Sequence, residues 1–331
     1  MRAYRHTTFT GIDALDLVDE DIPRPGAGQV LVRVRASSLN FRDPIIANGQ
    51  FPFSGSPGFI ALSDGAGEVE AMGEGVTRFA RGDRVLNSFL PTWFGGKLRE
   101  LGQQYVLDLD GWLAEYRVVS EQALVMMPPH LTFEEAATLP CTAVTAWTAL
   151  AGVAPGDTVL TQGSGSVSLF ALQLAQTLGA RVIATTSSEG KAQRLMELGA
   201  RAVVNYVDQP EWSTDVLDLT DGRGVDRVVE VGGSGTIAQS IRSVTYDGEI
   251  ALVGMLDPTP EGMNLIDFFL SKSTLRTIGV GSREDLADMN RALSAHDVHP
   301  VIDTVFPFEQ ARLAFKYFAR GQHFGKVVIN H

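Results

Sequence analysis

The chain has 331 residues, 44% apolar and 20% charged, enough for two domains with buried cores. Its net charge of −12 is spread among interspersed acids and bases, so no basic stripe offers itself to nucleic acid. A single cysteine, Cys141, excludes an internal disulfide and a cysteine-built zinc site, and the N-terminal stretch carries no apolar signal segment; the expectation is a cytoplasmic protein.

The first part of the chain reads as short strands separated by turns. Gln29–Ala36 sets Val30, Val32 and Val34 against Leu31, Arg33 and Arg35, the alternation of a half-buried strand. A loop, Pro23–Gly28, precedes it, and Gly73–Gly75 and Gly95–Gly96 punctuate later turns. DGAGEVEAMGEGV, RGDRVL and GWLAEYRVV are further strands, the texture of a small barrel. The uncharged run 136–156, interrupted by threonines and prolines, reads as a buried helix rather than a bilayer span, and no membrane partner is expected. From about Asp157 the period changes. DTVLTQG, ARVIATTSS, RAVVNY, VDRVVEVGG, GEIALVGM and TLRTIGV are six strands, with helices at Val167–Leu178, Lys191–Leu198 and around Glu211–Leu219. Such alternation predicts an α/β, six-stranded, doubly wound parallel sheet covered on both faces. The remaining residues supply a helix at Phe308–Phe318 and a last strand in HFGKVVINH that returns to the first domain.

Between the first of those strands and its helix lies TQGSGSVSLF. Gly163-x-Gly165-x-x-Ser168 is a dinucleotide fingerprint with serine in place of the third glycine. Gly163 permits the tight turn, and Gly165 lets backbone approach a pyrophosphate over Ser164, Ser166 and Val167. Amides of Ser166 to Ser168 stand at the positive end of the helix. Ser168 has a packing role and is small enough to bond back to a carbonyl of its own turn. The blander reading is an ordinary glycine-rich turn. At the end of the second strand, where NAD sites place an acid, the chain has Thr185, Thr186, Ser187 and Ser188, then Glu189 and Lys191. Hydroxyls and a lysine suit a 2′-phosphate, so the cofactor expected is NADP(H) over NAD(H). Thr186-x-x-Glu189 also spells a capping box for the next helix.

Four stretches carry a family resemblance: SLNFRDPIIANGQFP, SDGAGEVEAMGEGVTRFARGDRV, EEAATLPCTAVTAWTAL and HFGKVV. Together they resemble the medium-chain dehydrogenase/reductase superfamily, and within it the zinc-free, quinone-oxidoreductase-like branch. The resemblance spans the chain. It implies a GroES-like β-barrel catalytic domain from residues 1–126 and 281–331, a Rossmann cofactor-binding domain from residues 127–280, and an active site in the cleft between. Where zinc members carry their first cysteine this chain has Asn40, and where they carry Gly-His-Glu it is read as Gly58-Phe59-Ile60. The six histidines are expected to form no cluster with carboxylates, and His296-x-x-His299 is taken as a solvated loop; no metal is expected.

Without a Lewis acid, hydride transfer to an electron-poor quinone or enone is the accessible chemistry. Relatives that reduce enoyl thioesters use a tyrosine in the stretch NGQFP, where this chain has Phe51. Asn40 is the candidate catalytic residue, hydrogen-bonding a carbonyl oxygen; the alternative is that it caps its loop. The resemblance also implies cofactor contacts at Thr145, Tyr206, Gly232, Val253, Gly254, Met255, Phe324, Gly325 and Lys326. Core packing is the alternative for Phe324 and Met255, and a solvated charge for Lys326. Phe41, Phe51 and Phe94 are read as substrate-pocket lining, and Arg42 with Asp43 as a local ion pair. The resemblance further implies a homodimer pairing through TLRTIGV. The function expected is zinc-independent NADPH-dependent reduction of quinones, enones or related carbonyls. Metal-free alcohol/aldehyde interconversion is the alternative, and a non-catalytic NADPH-binding protein a third.

Overall fold

The valines of QVLVRVRA enter a strand, Gln29–Ser38, in which Val30, Val32 and Val34 are buried and Arg33 is exposed. Leu31 is buried too, because this strand also pairs with Tyr116–Ser120. In the computed structural model, which describes residues 1–52, 55, 57–256 and 262–331, the chain divides into two compact units. One is Met1–Val144 with Val280–His331; the other is Thr145–Gly279.

The first unit is built on a seven-stranded sheet. Its path runs Ile302–Pro307, Lys326–Asn330, Gln29–Ser38, Asp64–Met72, Arg84–Asn87 and Leu124–Met126, with Tyr116–Ser120 also on Gln29–Ser38. Register shifts near Leu31 and Val34 interrupt the pairing of Gln29–Ser38 with Asp64–Met72, the irregularity that bends a sheet. The C-terminal strand joins antiparallel, Val328 opposite Ser38 and Asn330 opposite Ala36. One apolar core gathers Leu39, Ile60, Phe308, Phe315 and Val327, another Val32, Val85, Tyr105 and Trp112. The expected C-terminal helix begins later than its pattern suggests: Phe308–Gln310 is a tight turn after Pro307, and the helix is Ala311–Ala319. Sequence reading missed the helix Arg283–Ala295, whose start is a capping box between Ser282 and Asp285. The uncharged run becomes three pieces rather than one helix, with a π-helical turn, Leu139–Ala143, where Pro140 removes a backbone donor.

The second unit holds six parallel strands in the order Ala202–Asn205, Arg181–Thr186, Thr158–Gln162, Val225–Glu230, Val244–Leu252 and Thr274–Thr277. Every residue of the central strand Thr158–Gln162 is buried, as a sheet covered on both faces requires. Strand order reverses between Thr158–Gln162 and Val225–Glu230, so the loops leaving these two strands flank a topological switch point. Helices Ser166–Thr177 and Glu189–Glu197 follow the first and second strands in chain order. Among the described residues no helix is long and apolar enough to cross a membrane.

Candidate active site

The glycine turn leaves Thr158–Gln162 at the switch point. Gly163 has φ +71°, a conformation that favours glycine, and its N–H donates to the Thr185 carbonyl at 2.9 Å. Gly165 precedes the helix Ser166–Thr177, and no side chain caps that helix. A Cβ at Gly163 or Gly165 would meet no protein atom within 4 Å, which leaves room for a phosphate against the helix start. Ser168 is buried, and its Oγ donates to the Gln162 carbonyl at 2.6 Å, tying the helix to the end of the strand. Ser164 is also buried, while Val167 is half-buried.

Thr186 ends the second strand with its hydroxyl buried and without a hydrogen-bond partner. The expected capping box does not form: Ser188 is the N-cap residue, and no side chain caps the helix Glu189–Glu197. Thr186 still belongs to the strand, two residues too early to reach the helix start. Its carbonyl accepts the Tyr206 N–H at 2.9 Å, which sets Tyr206, itself exposed, beside it. Ser187 and Ser188 are exposed and Lys191 is half-buried. The open space over Gly163 and Gly165 at an uncapped helix start fits the phosphates of a dinucleotide.

Sequence reading missed what supports this edge from below. Glu230, fully buried, accepts from Gln162 Nε2 at 2.8 Å, from the Gly232 and Gly233 amides at 2.8 and 2.9 Å, from Thr236 at 2.5 Å and from Ser240. Gln162 Oε1 in turn accepts the Val231 N–H at 3.0 Å. Val253 N–H donates to the Glu230 carbonyl at 2.8 Å, and Met255 beyond it is 69% exposed, so it is not core. A Cβ at Gly254 would lie 2.5 Å from the Val231 carbonyl oxygen, which only glycine avoids. Thr145 is buried in the same unit.

The first unit carries a second polar constellation. Asn40 is buried; its Oδ1 accepts from Lys326 Nζ at 2.9 Å, and its Nδ2 lies 3.5 Å from Ser63 Oγ. Lys326 is fully buried rather than a solvated charge, and its ammonium also donates to the Leu39 carbonyl at 2.6 Å. Burial lowers the Lys326 pKa, with Asp64 opposing the shift. Burial raises that of Asp64, with Lys326 opposing. The Cys141 thiol is pushed up by desolvation and then by the charge of Asp64. Asn40 does not cap its loop with its side chain; the short helix Arg42–Ala47 has no side-chain cap, and Asp43 Oδ2 accepts the Asn40 backbone N–H at 2.6 Å. Arg42 and Asp43 make no ion-pair contact within 4.0 Å, although the Arg42 charge still acts on Asp43. Arg42 instead stacks over Phe89 at 4.3 Å and donates to the Tyr105 carbonyl at 3.0 Å. Asp43, buried with Oδ1 unpartnered, is raised to about 7 by burial.

Ile60 lies in the apolar core, and it is Ser63 and Asp64, not Gly58-Phe59-Ile60, that come beside Asn40. Asp43, Asp64 and Cys141 surround Asn40 and Lys326, but among the described residues their ligand atoms form no group of three close enough for one ion, whereas a catalytic zinc wants three protein ligands. Phe324 is core, as the alternative reading had it, and its N–H donates to Asp303 at 3.0 Å. Gly325 has φ +96°, and a Cβ there would lie 2.4 Å from the Val301 carbonyl oxygen. Phe51 packs half-buried on the Trp112 core; Phe41 is 56% exposed, and Phe94, 45% exposed, lies under the Arg283 guanidinium. The expectation that no histidines meet a carboxylate is overturned: ligand atoms of His130, Asp297 and His299 lie within 4.8 Å of one another.

A parallel sheet in this order with a glycine turn at its switch point is an arrangement that binds dinucleotides, and the other unit is a mixed sheet into which the C-terminal strand is paired. Residues 26–129 match the alcohol dehydrogenase GroES-like domain and residues 166–295 the zinc-binding dehydrogenase family. A zinc-type alcohol dehydrogenase-like protein of Schizosaccharomyces pombe is 39% identical over 99% of both chains. A quinone oxidoreductase of Pseudomonas aeruginosa is 33% identical over 78% of this chain and 74% of its own. Among solved structures, an NAD-dependent alcohol dehydrogenase superposes with TM-score 0.91 at 34% identity, covering 100% of both chains. A mycobacterial protein complexed with NADPH superposes with TM-score 0.83 at 28% identity, again over 100% of both. The chain belongs to the medium-chain dehydrogenase/reductase superfamily, and it is an oxidoreductase.

Proposed function

We propose that the protein is a zinc-independent, NADPH-dependent reductase of quinones, enones or related carbonyl compounds. The observation that carries this reading is the buried Lys326 ammonium on Asn40 Oδ1, a fixed cation among donors that offer zinc no ligand set. Bound NADPH supplies the hydride. The helix start at Ser166–Ser168 receives the diphosphate, and Gly165 keeps the approach open. Thr186, Ser187, Ser188 and Lys191 receive the 2′-phosphate, where a carboxylate would repel it. Gly232, Val253, Gly254 and Met255 would hold the nicotinamide half of the nucleotide. Lys326 occupies Asn40 Oδ1, so Nδ2, whose protein acceptor in this structure is Ser63 Oγ at 3.5 Å, is the amide group that would donate to the carbonyl oxygen that gains charge on reduction. A quinone or enone accepts hydride at an electron-poor carbon, and the resulting anion takes its proton from solvent.

NADPH oxidation against a panel of quinones and enones, with and without chelator, tests the proposal. Turnover that survives chelation is expected. Coenzyme binding with no turnover on any acceptor, or turnover abolished by chelation and restored by zinc, would sink it. The similarity to a solved NAD-dependent alcohol dehydrogenase favours a second reading, alcohol oxidation without metal. Alcohol-dependent NADP reduction in chelator would select that reading.

We further propose a homodimer. Thr274–Thr277 is an open edge of the parallel sheet, and the helix Leu265–Ser271 immediately before it exposes Leu265, Ile266, Phe269 and Leu270 by 59% to 70%. A second copy related by a twofold axis would cover both the strand edge and this helix.

A further inference from the structure

Away from the groups around Asn40, four side chains from two segments of the first unit converge: His130 and Glu135 from one, Asp297 and His299 from the other. His299 Nδ1 lies 2.7 Å from Glu135 Oε1, and His299 Nε2 lies 3.7 Å from Asp297 Oδ1. The His130 ring meets the His299 ring edge-on with centroids 5.2 Å apart, and His130 Nε2 bonds the Val298 carbonyl at 3.1 Å. One ligand atom each from His130, Asp297 and His299 falls within 4.8 Å of the others, the only such group of three among the described residues.

The backbone holds each member in place. Glu135 is the third residue of a capping box, so its Oε2 accepts the Thr132 N–H at 2.8 Å while Oε1 faces His299. A carboxylate fixed in this way holds one imidazole nitrogen protonated and leaves the other to coordinate, the outer-shell arrangement of metal-bound histidines. Asp297 follows the helix Arg283–Ala295 with φ +51°, and the Val298 N–H returns to the Leu293 carbonyl at 3.0 Å, closing the helix end. His130 follows Pro128-Pro129 in a turn closed by the Leu131 N–H on the Pro128 carbonyl at 3.2 Å.

We propose that His130, Asp297 and His299 bind one divalent transition-metal ion of the zinc class, with Glu135 orienting His299 and water completing the coordination. Two imidazoles and a carboxylate are the donors that borderline cations prefer over calcium or magnesium. The ion joins the loop before Phe133 to the loop after Ala295. It uses none of the groups around Asn40, so it is a structural clip and not a reagent for hydride transfer.

The test is equilibrium dialysis of tag-free full-length protein against Co2+ and Zn2+, with metal counted by elemental analysis and cobalt followed by its visible absorption. One Co2+ per chain, displaced by Zn2+, is expected. His299→Ala and His130→Ala should each weaken binding at least about a hundredfold, and Glu135→Gln, which keeps the capping box, about tenfold. Asp297→Gly removes the carboxylate at a backbone position glycine favours, so it should stay folded and still lose at least about tenfold in affinity. NADPH affinity should be the same in all four variants. The proposal is overturned if no ion is retained at micromolar free metal, or if Asp297→Gly and His299→Ala retain it as the parent does.

Discussion

Replacing Ser168 separates packing from phosphate binding at the glycine turn. The hydroxyl is buried and donates to the Gln162 carbonyl at 2.6 Å, while the proposed phosphate seat lies over Gly163 and Gly165. In Ser168→Ala the lost hydrogen bond and the weakened carbonyl cost about 1–3 kcal/mol, and alanine's better helix propensity returns about 0.5 kcal/mol. The net expectation is about 1–2 kcal/mol of destabilisation. Ser168→Gly restores the glycine of the fingerprint but forgoes the same bond and adds about 1 kcal/mol of backbone entropy, so it should be the less stable of the two. Urea unfolding of the coenzyme-free variants reads this directly, with the buried Trp212 in the same unit as a fluorescent reporter. NADPH affinity, from fluorescence titration, should stay within about twofold of the parent in both, since a phosphate bound by peptide amides does not touch Oγ. A tenfold loss of NADPH in Ser168→Ala would show that the hydroxyl binds the coenzyme. A Ser168→Gly variant more stable than the parent would show that the serine is a misfit, and either result refutes the reasoning.

Lys191→Glu should weaken NADPH at least about tenfold more than NADH; equal losses in paired titrations would remove Lys191 from the 2′-phosphate site. Asn40→Ala should lower kcat about a hundredfold with NADPH affinity unchanged, because it removes one donor to the developing oxyanion; steady-state and single-turnover kinetics decide it. Asp43, raised to about 7 by burial with Arg42, Asp64 and Lys326 around it, binds its proton more tightly folded than unfolded. Its contribution is therefore most favourable below about pH 4, declines by up to about 4 kcal/mol as pH rises to about 7, and is flat above. Asp43→Asn should gain on the parent between pH 5 and pH 8 in urea midpoints, and an unchanged difference would count against it. Phe269→Glu should yield monomers in sedimentation at micromolar concentration; a dimer that survives it places the interface elsewhere.

Much of the second unit could be read from the sequence because its order is local. The strands Thr158–Gln162 and Arg181–Thr186 are short runs ended by a glycine turn and a hydroxyl cluster, and the helix predicted at Val167–Leu178 is found at Ser166–Thr177. Ser168 was expected to bond locally, and it does, although its acceptor is the strand end at Gln162. The support beneath that turn was not legible. Glu230 closes the run VDRVVE and looks like any strand-end charge; its burial depends on Gln162, 68 residues away, and on Ser240 from the following helix. Arg283–Ala295 escaped notice because its polar residues blur the apolar stripe, although Ser282-x-x-Asp285 announces its start. The histidine cluster joins residues 164 apart in sequence, His299 and Glu135, which spacing cannot reveal.

Lys326 shows how topology converts an ordinary residue into a site. A lysine at the head of a C-terminal strand has every local reason to be solvated. Its placement comes from register: Val328 lies opposite Ser38 and Ile329 opposite Ser37, so two residues earlier Lys326 falls opposite Asn40. The Leu39 N–H on the Val327 carbonyl at 3.0 Å carries the pairing across that step. Strand side chains alternate faces, so a slip of one residue would send the ammonium to the other face of the sheet and leave Asn40 and Asp64 without their cation. Val327, Val328 and Ile329, all fully buried, pack the strand in the register that places this charge. Apolar residues with no chemistry of their own decide where the one buried ammonium stands, and through it which way the amide of Asn40 faces.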